Sequence, residues 1–401
     1  MSRAAESKVR QGHPWVYADS VRELNRPGET GEVAVIYDRK DRLLAVGLYD
    51  EDSPIRIRIL ELKKAARIDR DWLLQRLREA VTRRESLLKP ETELTSETNG
   101  LRLVHGESDF LPALVLDRYG TILVLKIYSL AWLPRLGELT KILTQSLMPS
   151  HLVSHVVLRL SRNLQTEALH RFEVEDGMLI HGEPLTQIPT FRENGLRFEA
   201  DVIRGQKTGF FLDQRENRRR IGELSAGKDV LNAFSFSGGF SLYAARGGAR
   251  AVTDMDISAH ALAAARRNVE LNDELVADCE YRQIQGDVFR RLDDMTETFE
   301  LVVLDPPSLA RKKRERDSAL KAYERLAAAG IRRLKRGGIL FSASCSARVS
   351  AEDFFAAVLR SAQASRRRFR ELERSLQPVD HPAGFAESAY LKGIYLEFEP
   401  A

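Results

Sequence analysis

The sequence predicts an α/β chain in which a doubly wound, largely parallel sheet at the C-terminal side follows a small β-barrel and a β-rich middle region. Three observations lead there. From about residue 205 onward, short apolar runs alternate with stretches of helical periodicity, the pattern of a parallel sheet covered by helices on both faces. Before residue 200 the dominant signal is apolar alternation of period two, broken by turn residues. The length, 401 residues, exceeds what one core ordinarily serves. The expected division is a barrel over 1–63, a helical linker with a hairpin-containing middle domain over 64–199, and a doubly wound domain over 200–401.

Residues 31–37, 43–49 and 55–60 read as strands separated by turn material at Pro27 and Gly28, at 38–41 and at 50–54. Residues 69–88 change to helical spacing, with Trp72, Leu73, Leu77 and Val81 on one face. Strands near 111–116 and 122–128 flank residues 117–120, which read as the turn of a hairpin. A helix over 136–147 and a strand over 153–160 follow. In the C-terminal part, strands are expected at 229–234, 249–255, 299–304 and 338–344, with helices from 239, over 259–272 and through Tyr323 to Leu334. The right-handed crossover rule puts the carboxyl ends of these strands on one edge, where ligands of such sheets bind.

Composition narrows the class. No run of eighteen apolar residues occurs, so no membrane span is expected, and residues 1–10 lack the apolar core of a secretory signal. Two cysteines, Cys279 and Cys345, exclude a disulfide framework and fit a reducing, cytoplasmic setting. His13, His105 and His381 lack ligand spacing with any partner, so no metal is expected. The formal net charge is +4, but basic residues fall in runs, which points to a polyanionic partner.

The motifs at the strand ends carry the chemistry. After the first C-terminal strand come Asn232, Phe234, Ser235 and the pair Gly238 and Gly239, where glycine lets backbone approach a ligand closely. After the second comes Asp254-Met255-Asp256, placed for a carboxylate to accept from both hydroxyls of a ribose. The Gly-x-Gly-x-x-Gly fingerprint of a dinucleotide site is absent. Gly286 and Asp287 follow a third strand, where an acidic side chain can accept from an adenine amino group. Asp305, Pro306 and Pro307 close the next strand. This order of motifs fits S-adenosyl-L-methionine better than a nicotinamide cofactor. Ser344, Cys345 and Ser346 end a further strand on the same edge, which makes Cys345 a candidate nucleophile and Asp305 a candidate partner for a pyrimidine edge. A buried cysteine with only a packing role, an Asp-Pro-Pro loop serving methylation of a purine nitrogen, and a non-catalytic RNA-binding protein that keeps the cofactor fold as a scaffold are the alternatives at this point.

These residues resemble the bacterial ribosomal RNA large-subunit methyltransferases that make 5-methylcytosine, and the likeness runs along nearly the whole chain. Gly12 to Tyr17 and the strands after them look like a PUA domain, a small RNA-binding barrel. Arg102 to Asp109, Leu111 with Pro112, and Asp117 to Tyr119 look like the family's middle domain. The stretch from Lys207 to Arg215 is its most specific signature. The resemblance implies a Rossmann-like methyltransferase fold, S-adenosyl-L-methionine as cofactor, ribosomal RNA as substrate and a homodimer. It implies cofactor contacts from Lys207, Thr208 and Phe210, and from Phe234, Ser235, Asp256, Asp287 and Asp305. It makes Cys345 the residue that adds to carbon 6 of the cytosine. Asp380 to Pro382 and Tyr390 to Gly393 also match. Ser308 stands where enzymes with two catalytic cysteines carry the second thiol, so the proton-removing base has no assignment beyond Asp305 or water. Ala113 replaces a usual glycine, a change expected to alter only a turn.

Of the basic runs, Arg311, Lys312, Lys313 and Arg314 directly follow Asp-Pro-Pro and are expected to hold RNA phosphates. The run 366–370 is expected to form a solvated helix face. Residues 215–220 are a third such run.

Overall fold

The computed structural model describes residues 1–87, 97–147, 152–310 and 312–399. Its contacts divide the chain into two units. The first holds Met1–Gly195, Ala200–Leu212 and Val379–Phe385; the second holds Leu196–Glu199, Asp213–Pro378 and Ala386–Ala401.

In the first unit, β1 (Trp15–Tyr17), β2 (Val33–Tyr37), β3 (Leu43–Tyr49) and β4 (Ile55–Leu62) form an antiparallel sheet in the order β1-β4-β3-β2. Val16, Ile36, Leu44, Ile57 and Ile59 make its small core together with Val9. Val9 comes from a helix over Arg3–Arg10 that the apolar pattern of the sequence does not mark. Its apolar stripe is only Ala5 and Val9, too narrow to register as periodicity, and Ser2 caps it by accepting from the Ala5 N–H. The helix expected over 69–88 is Arg70–Thr82 in the described residues, capped by Asp69, with Leu73, Leu77 and Ala80 buried; residues 88–96 lie outside the described residues.

A second sheet in this unit runs β5 (Gly100–His105), β6 (Leu114–Tyr119), β7 (Ile122–Ile127), β8 (His155–Leu160) and β9 (Leu179–His181), in that order. The hairpin turn lies at Gly120 and Thr121 rather than at 117–120. Asp117 continues the strand because its carboxylate is buried and takes two hydrogen bonds from Arg102, at 2.7 and 2.9 Å; Gly120 supplies the positive φ. Ala113 also has a positive φ, +61°, so the turn expected to differ there does carry left-handed backbone. Deeper in the unit, the buried Arg84 donates to both oxygens of Asp109, at 3.0 and 2.6 Å, and to the carbonyl of Asp380 at 3.0 Å. Asp380 in turn accepts from the Arg102 N–H. Two short strands follow in the chain, β10 (Thr190–Glu193) and β11 (Leu196–Glu199).

The second unit is the doubly wound domain. Its strands are β12 (Asp229–Ala233), β13 (Ala251–Asp256), β14 (Glu280–Gln285), β15 (Phe299–Leu304), β16 (Leu334–Ser344), β17 (Phe369–Leu376) and β18 (Lys392–Phe398), in the order β14-β13-β12-β15-β16-β18-β17. The first five are parallel and the last two pair antiparallel. The central strands β12, β15 and β16 are buried on both faces. Leu231, Val302, Leu304 and Leu340 pack with Tyr323, Leu326 and Phe354 of the helices Arg316–Arg332 and Ala351–Ala364. Val230, Val252, Leu301 and Val303 pack on the other side with Ile221, Phe240 and Ala244 of the helices Arg215–Leu224 and Gly239–Arg246. This two-sided burial is why the segments read as continuous apolar runs.

The expected helix face at 366–370 is corrected by this sheet. Arg366 leaves the helix with φ +57°. Arg367 donates to the carbonyls of Ile331, Leu334 and Lys335, and Arg370 already lies in β17, paired with Glu397 of β18. Neither antiparallel strand was visible as a strand in the sequence: β17 is polar along most of its length, with no apolar period.

Candidate active site

Strand order reverses between β12 and its neighbours β13 and β15, the switch point at which open α/β sheets bind ligands. Five parallel strands end on that edge, and Phe234 and Ser235, Asp256, Asp287, Asp305 and Cys345 lie at or just after those ends.

The loop after β12 is strained where it turns. Phe234 has φ +63°, Phe236 +49° and Gly238 +75°, and two non-glycine residues in the left-handed region mark a loop held for a purpose. At Gly238 a Cβ would come within 2.9 Å of the Ala265 side chain and 3.2 Å of Asp254, so no side chain fits. Asp256 organises the loop by accepting from the Phe236 N–H at 3.0 Å and the Ser258 N–H at 2.8 Å, one on each oxygen. Each oxygen keeps a lone pair, which is what two ribose hydroxyls need. Behind it, buried Asp254 accepts from Asn232, Ser241 and Tyr281. Burial pushes its carboxyl up to about 6 against those hydrogen bonds.

The hydroxyls of Ser235 and Ser237 and the amide oxygen of Asn232 are buried with no hydrogen-bond partner among the described residues. Polar atoms left this way at the mouth of a sheet fit a polar ligand that completes them. Phe234 packs edge-on against Phe289, ring centres 6.0 Å apart. Asp287 is exposed and caps the helix Val288–Asp294 through the Arg290 N–H. These residues fit the adenosine part of S-adenosyl-L-methionine.

Asp305 and Cys345 follow neighbouring parallel strands, with Leu304 and Ser342 in register. The Cys345 Sγ lies 4.0 Å from the carbonyl oxygen of Pro306. A hydroxyl network joins the two loops. Ser346 accepts from the N–H groups of Leu309 and Ala310 at 3.1 and 3.3 Å, and its Oγ lies 3.0 Å from both the Ser308 and Tyr323 hydroxyls. Ser344 donates to Tyr323 at 2.8 Å. The serines beside Cys345 were legible as neighbours, but Tyr323 and Lys392 were missed, since each arrives from a distant element. Cys279 sits just before β14, half-buried, with its thiol pushed up to about 11 by burial.

Lys207, Thr208 and Phe210 belong to the first unit. Thr208 is buried, donating to Asp117 at 2.5 Å and lying 2.9 Å from the Tyr119 hydroxyl. Phe210 is buried edge-on to Phe191. Lys207 has φ +54°, its ammonium lies 4.3 Å from the centre of the Phe211 ring, and its carbonyl accepts from Lys126 at 2.7 Å. Lys312, Lys313 and Arg314 are exposed at the start of the segment leading into the helix Arg316–Arg332, whereas Arg311 lies outside the described residues. Among the described residues no His, Cys, Asp and Glu group could hold a metal ion, and no helix is long and apolar enough to cross a membrane.

Comparison with known proteins adds the family. Residues 111–391 match the model of an S-adenosylmethionine-dependent methyltransferase, and residues 1–62 match a PUA-like domain. A ribosomal RNA large subunit methyltransferase of Deinococcus radiodurans is 52% identical over 402 residues, spanning 100% of this chain and 97% of the relative. Ribosomal RNA large subunit methyltransferase I of Alteromonas mediterranea is 34% identical, over 98% and 96% of the two chains. Among solved structures, one from Streptococcus mutans described as a SAM-dependent methyltransferase has a TM-score of 0.80 at 21% identity, over 99% and 98% of the chains. Another, described as a methyltransferase complexed with SAH, has a TM-score of 0.81 at 22% identity, over 98% of each. At these identities the structures speak for the fold alone, whereas the sequence relatives speak for kinship. With a methyltransferase domain on a Rossmann-like sheet, a PUA-like domain before it and S-adenosylmethionine as its cofactor, this chain belongs to the family of the ribosomal RNA large-subunit methyltransferases.

Proposed function

We propose that this protein methylates carbon 5 of a cytosine in large-subunit ribosomal RNA, with Cys345 forming a covalent bond to carbon 6. The observation that carries the reading is the pairing of two loops: the thiol of Cys345 reaches the backbone of the Asp305-Pro306-Pro307 loop, 4.0 Å from the Pro306 carbonyl. Carbon 5 of cytosine is a poor nucleophile. When the Cys345 thiolate adds to carbon 6, the ring's double-bond electrons become available at carbon 5, and Asp305 steadies the charge that develops on the pyrimidine edge. The cofactor supplies an electrophilic sulfonium methyl group. Loss of the carbon 5 proton then re-forms the double bond and releases the thiol. That proton goes to Asp305 or to water.

On this reading Phe234, Ser235, Gly238, Asp256, Asp287 and Asp305 hold the cofactor from the second unit. Lys207, Thr208 and Phe210 contribute contacts from the segment that precedes it. Lys312, Lys313 and Arg314 hold RNA phosphates, as does Arg311 beside them. The PUA-like domain over 1–63 and the middle domain over 64–199 present the RNA to a methyltransferase domain over 200–401, and the protein works as a homodimer in the cytoplasm.

The test is transfer of labelled methyl to unmodified ribosomal RNA, followed by digestion to nucleosides. Labelled 5-methylcytidine from the wild type, and a loss of at least about 10³-fold with Cys345→Ala at unchanged cofactor affinity, is the expected result. A labelled purine, or activity retained in Cys345→Ala, overturns the thiol mechanism and favours amino-group methylation through Asp305.

A further inference from the structure

Lys392 is a buried cation for which the chemistry above has no use. It opens β18 opposite Ser344 of β16 and is 2% exposed. Its Nζ lies 2.6 Å from the carbonyl oxygen of Ser346, 2.6 Å from that of Val349 and 3.0 Å from that of Tyr390. A neutral amine has two N–H groups, so three carbonyl acceptors around one nitrogen call for the ammonium form. Two of the three carbonyls belong to the loop that begins at Cys345. None of them carries a formal charge, and an ammonium buried without an anion is costly.

Among the described residues, Cys345 is the ionisable group that acts on this ammonium as an anion would. Ser344 and Ser346 bear neutral hydroxyls, and the Tyr323 phenol is pushed up by burial and stays neutral. Asp305, just before Pro306, is the charge that would oppose a thiolate. Burial pulls Lys392 down to about 8, and Cys345 acts in the opposite direction, so the lysine is still mostly charged at neutral pH.

We propose that Lys392 is the positioning residue of the nucleophile, its ammonium holding the Cys345 loop by the Ser346 and Val349 carbonyls and stabilising the thiolate of Cys345. The S–H bond breaks with its electron pair staying on sulfur, and the proton passes to solvent. The catalytic consequence rests on the reading of Cys345 given above; the electrostatic coupling does not.

The experiment is alkylation by iodoacetamide followed peptide by peptide by mass spectrometry from about pH 5 to pH 10, with Cys279 as the slow internal control. In the wild type the Cys345 midpoint is expected at least about one unit below the ordinary thiol value of roughly 8.5. Lys392→Met should raise that midpoint by about one unit or more, and Lys392→Arg should keep it low. For methyl transfer, Lys392→Met should lower kcat about tenfold at neutral pH with KM for RNA little changed, the deficit shrinking as pH rises. A wild-type midpoint at or above the ordinary value overturns the proposal, and that measurement does not depend on whether Lys392→Met folds. An equal midpoint in the wild type and Lys392→Met overturns it as well. If Cys345→Ala still transfers methyl while the midpoint is low and depends on Lys392, the nucleophile reading falls and the coupling stands.

Discussion

Asp254 ties stability near the cofactor loop to pH. Its carboxyl is fully buried and shifted up to about 6, first by burial and further by the neighbouring Asp256, while hydrogen bonds from Ser241, Tyr281 and Asn232 pull it down. The unfolded chain ionises at the ordinary value near 4, so between about pH 4 and pH 6 the folded state binds the extra proton. Stability from this group is therefore full below that window and lost as pH rises through it. In urea unfolding this shows as a difference between the wild type and Asp254→Asn that changes by on the order of 2 kcal/mol from about pH 4 to pH 6.5. A difference that does not change with pH would mean that Asp254 does not titrate in this window. At this scale the sequence was informative where a side chain ends a strand. Asp256, Asp305 and Cys345 could be placed from the apolar runs before them. Asp254 is two residues from Asp256 and belongs to the same motif, yet only the structure shows that it is buried behind the loop that Asp256 organises.

At the scale of elements, the loops after β15 and β16 act as one piece because Ser346 joins them. Its single hydroxyl accepts from two backbone N–H groups of the other loop and meets two further hydroxyls. Ser346→Ala leaves the Leu309 and Ala310 N–H groups without that acceptor in a buried place, a cost of about 1–3 kcal/mol. We expect a matching loss in chemical denaturation and a fall in kcat larger than any change in cofactor affinity, read by calorimetry and single-turnover methyl transfer. Cofactor affinity falling in step with kcat would mean that the whole sheet edge had moved. Lys392 falls within the Tyr390 to Gly393 match, but its contacts could not be read there, because its carbonyl partners Ser346 and Val349 lie more than forty residues earlier in the chain.

At the scale of the whole molecule, the charge excess is less available than the sequence makes it look. Arg215 and Arg218 are buried. Arg219 and Arg220 pair with Glu216, Glu223 and Glu373, and Arg316 pairs with Asp353. Lys312, Lys313 and Arg314 remain exposed, so they are the part of that count best placed for phosphate. Replacing all three by alanine should reduce the slope of log affinity for ribosomal RNA fragments against log salt by about 2. An unchanged slope would move the contact elsewhere. The fold class was legible at this scale because two-sided burial writes itself into sequence as apolar runs. The grouping of distant segments into one unit was not, because it depends on single buried contacts such as those of Arg84.

Those contacts also bear on the order in which the protein can fold. Val379–Phe385 belongs to the first unit, although six of the seven strands of the second unit's sheet precede it in the chain. Arg84 and the backbone of β5 must wait for Asp380 before their hydrogen bonds are complete. A ribosome making this chain therefore delivers the last piece of the first unit only after most of the second. The hydrogen bonds that Asp380 gives the first unit are therefore among the last that synthesis makes available.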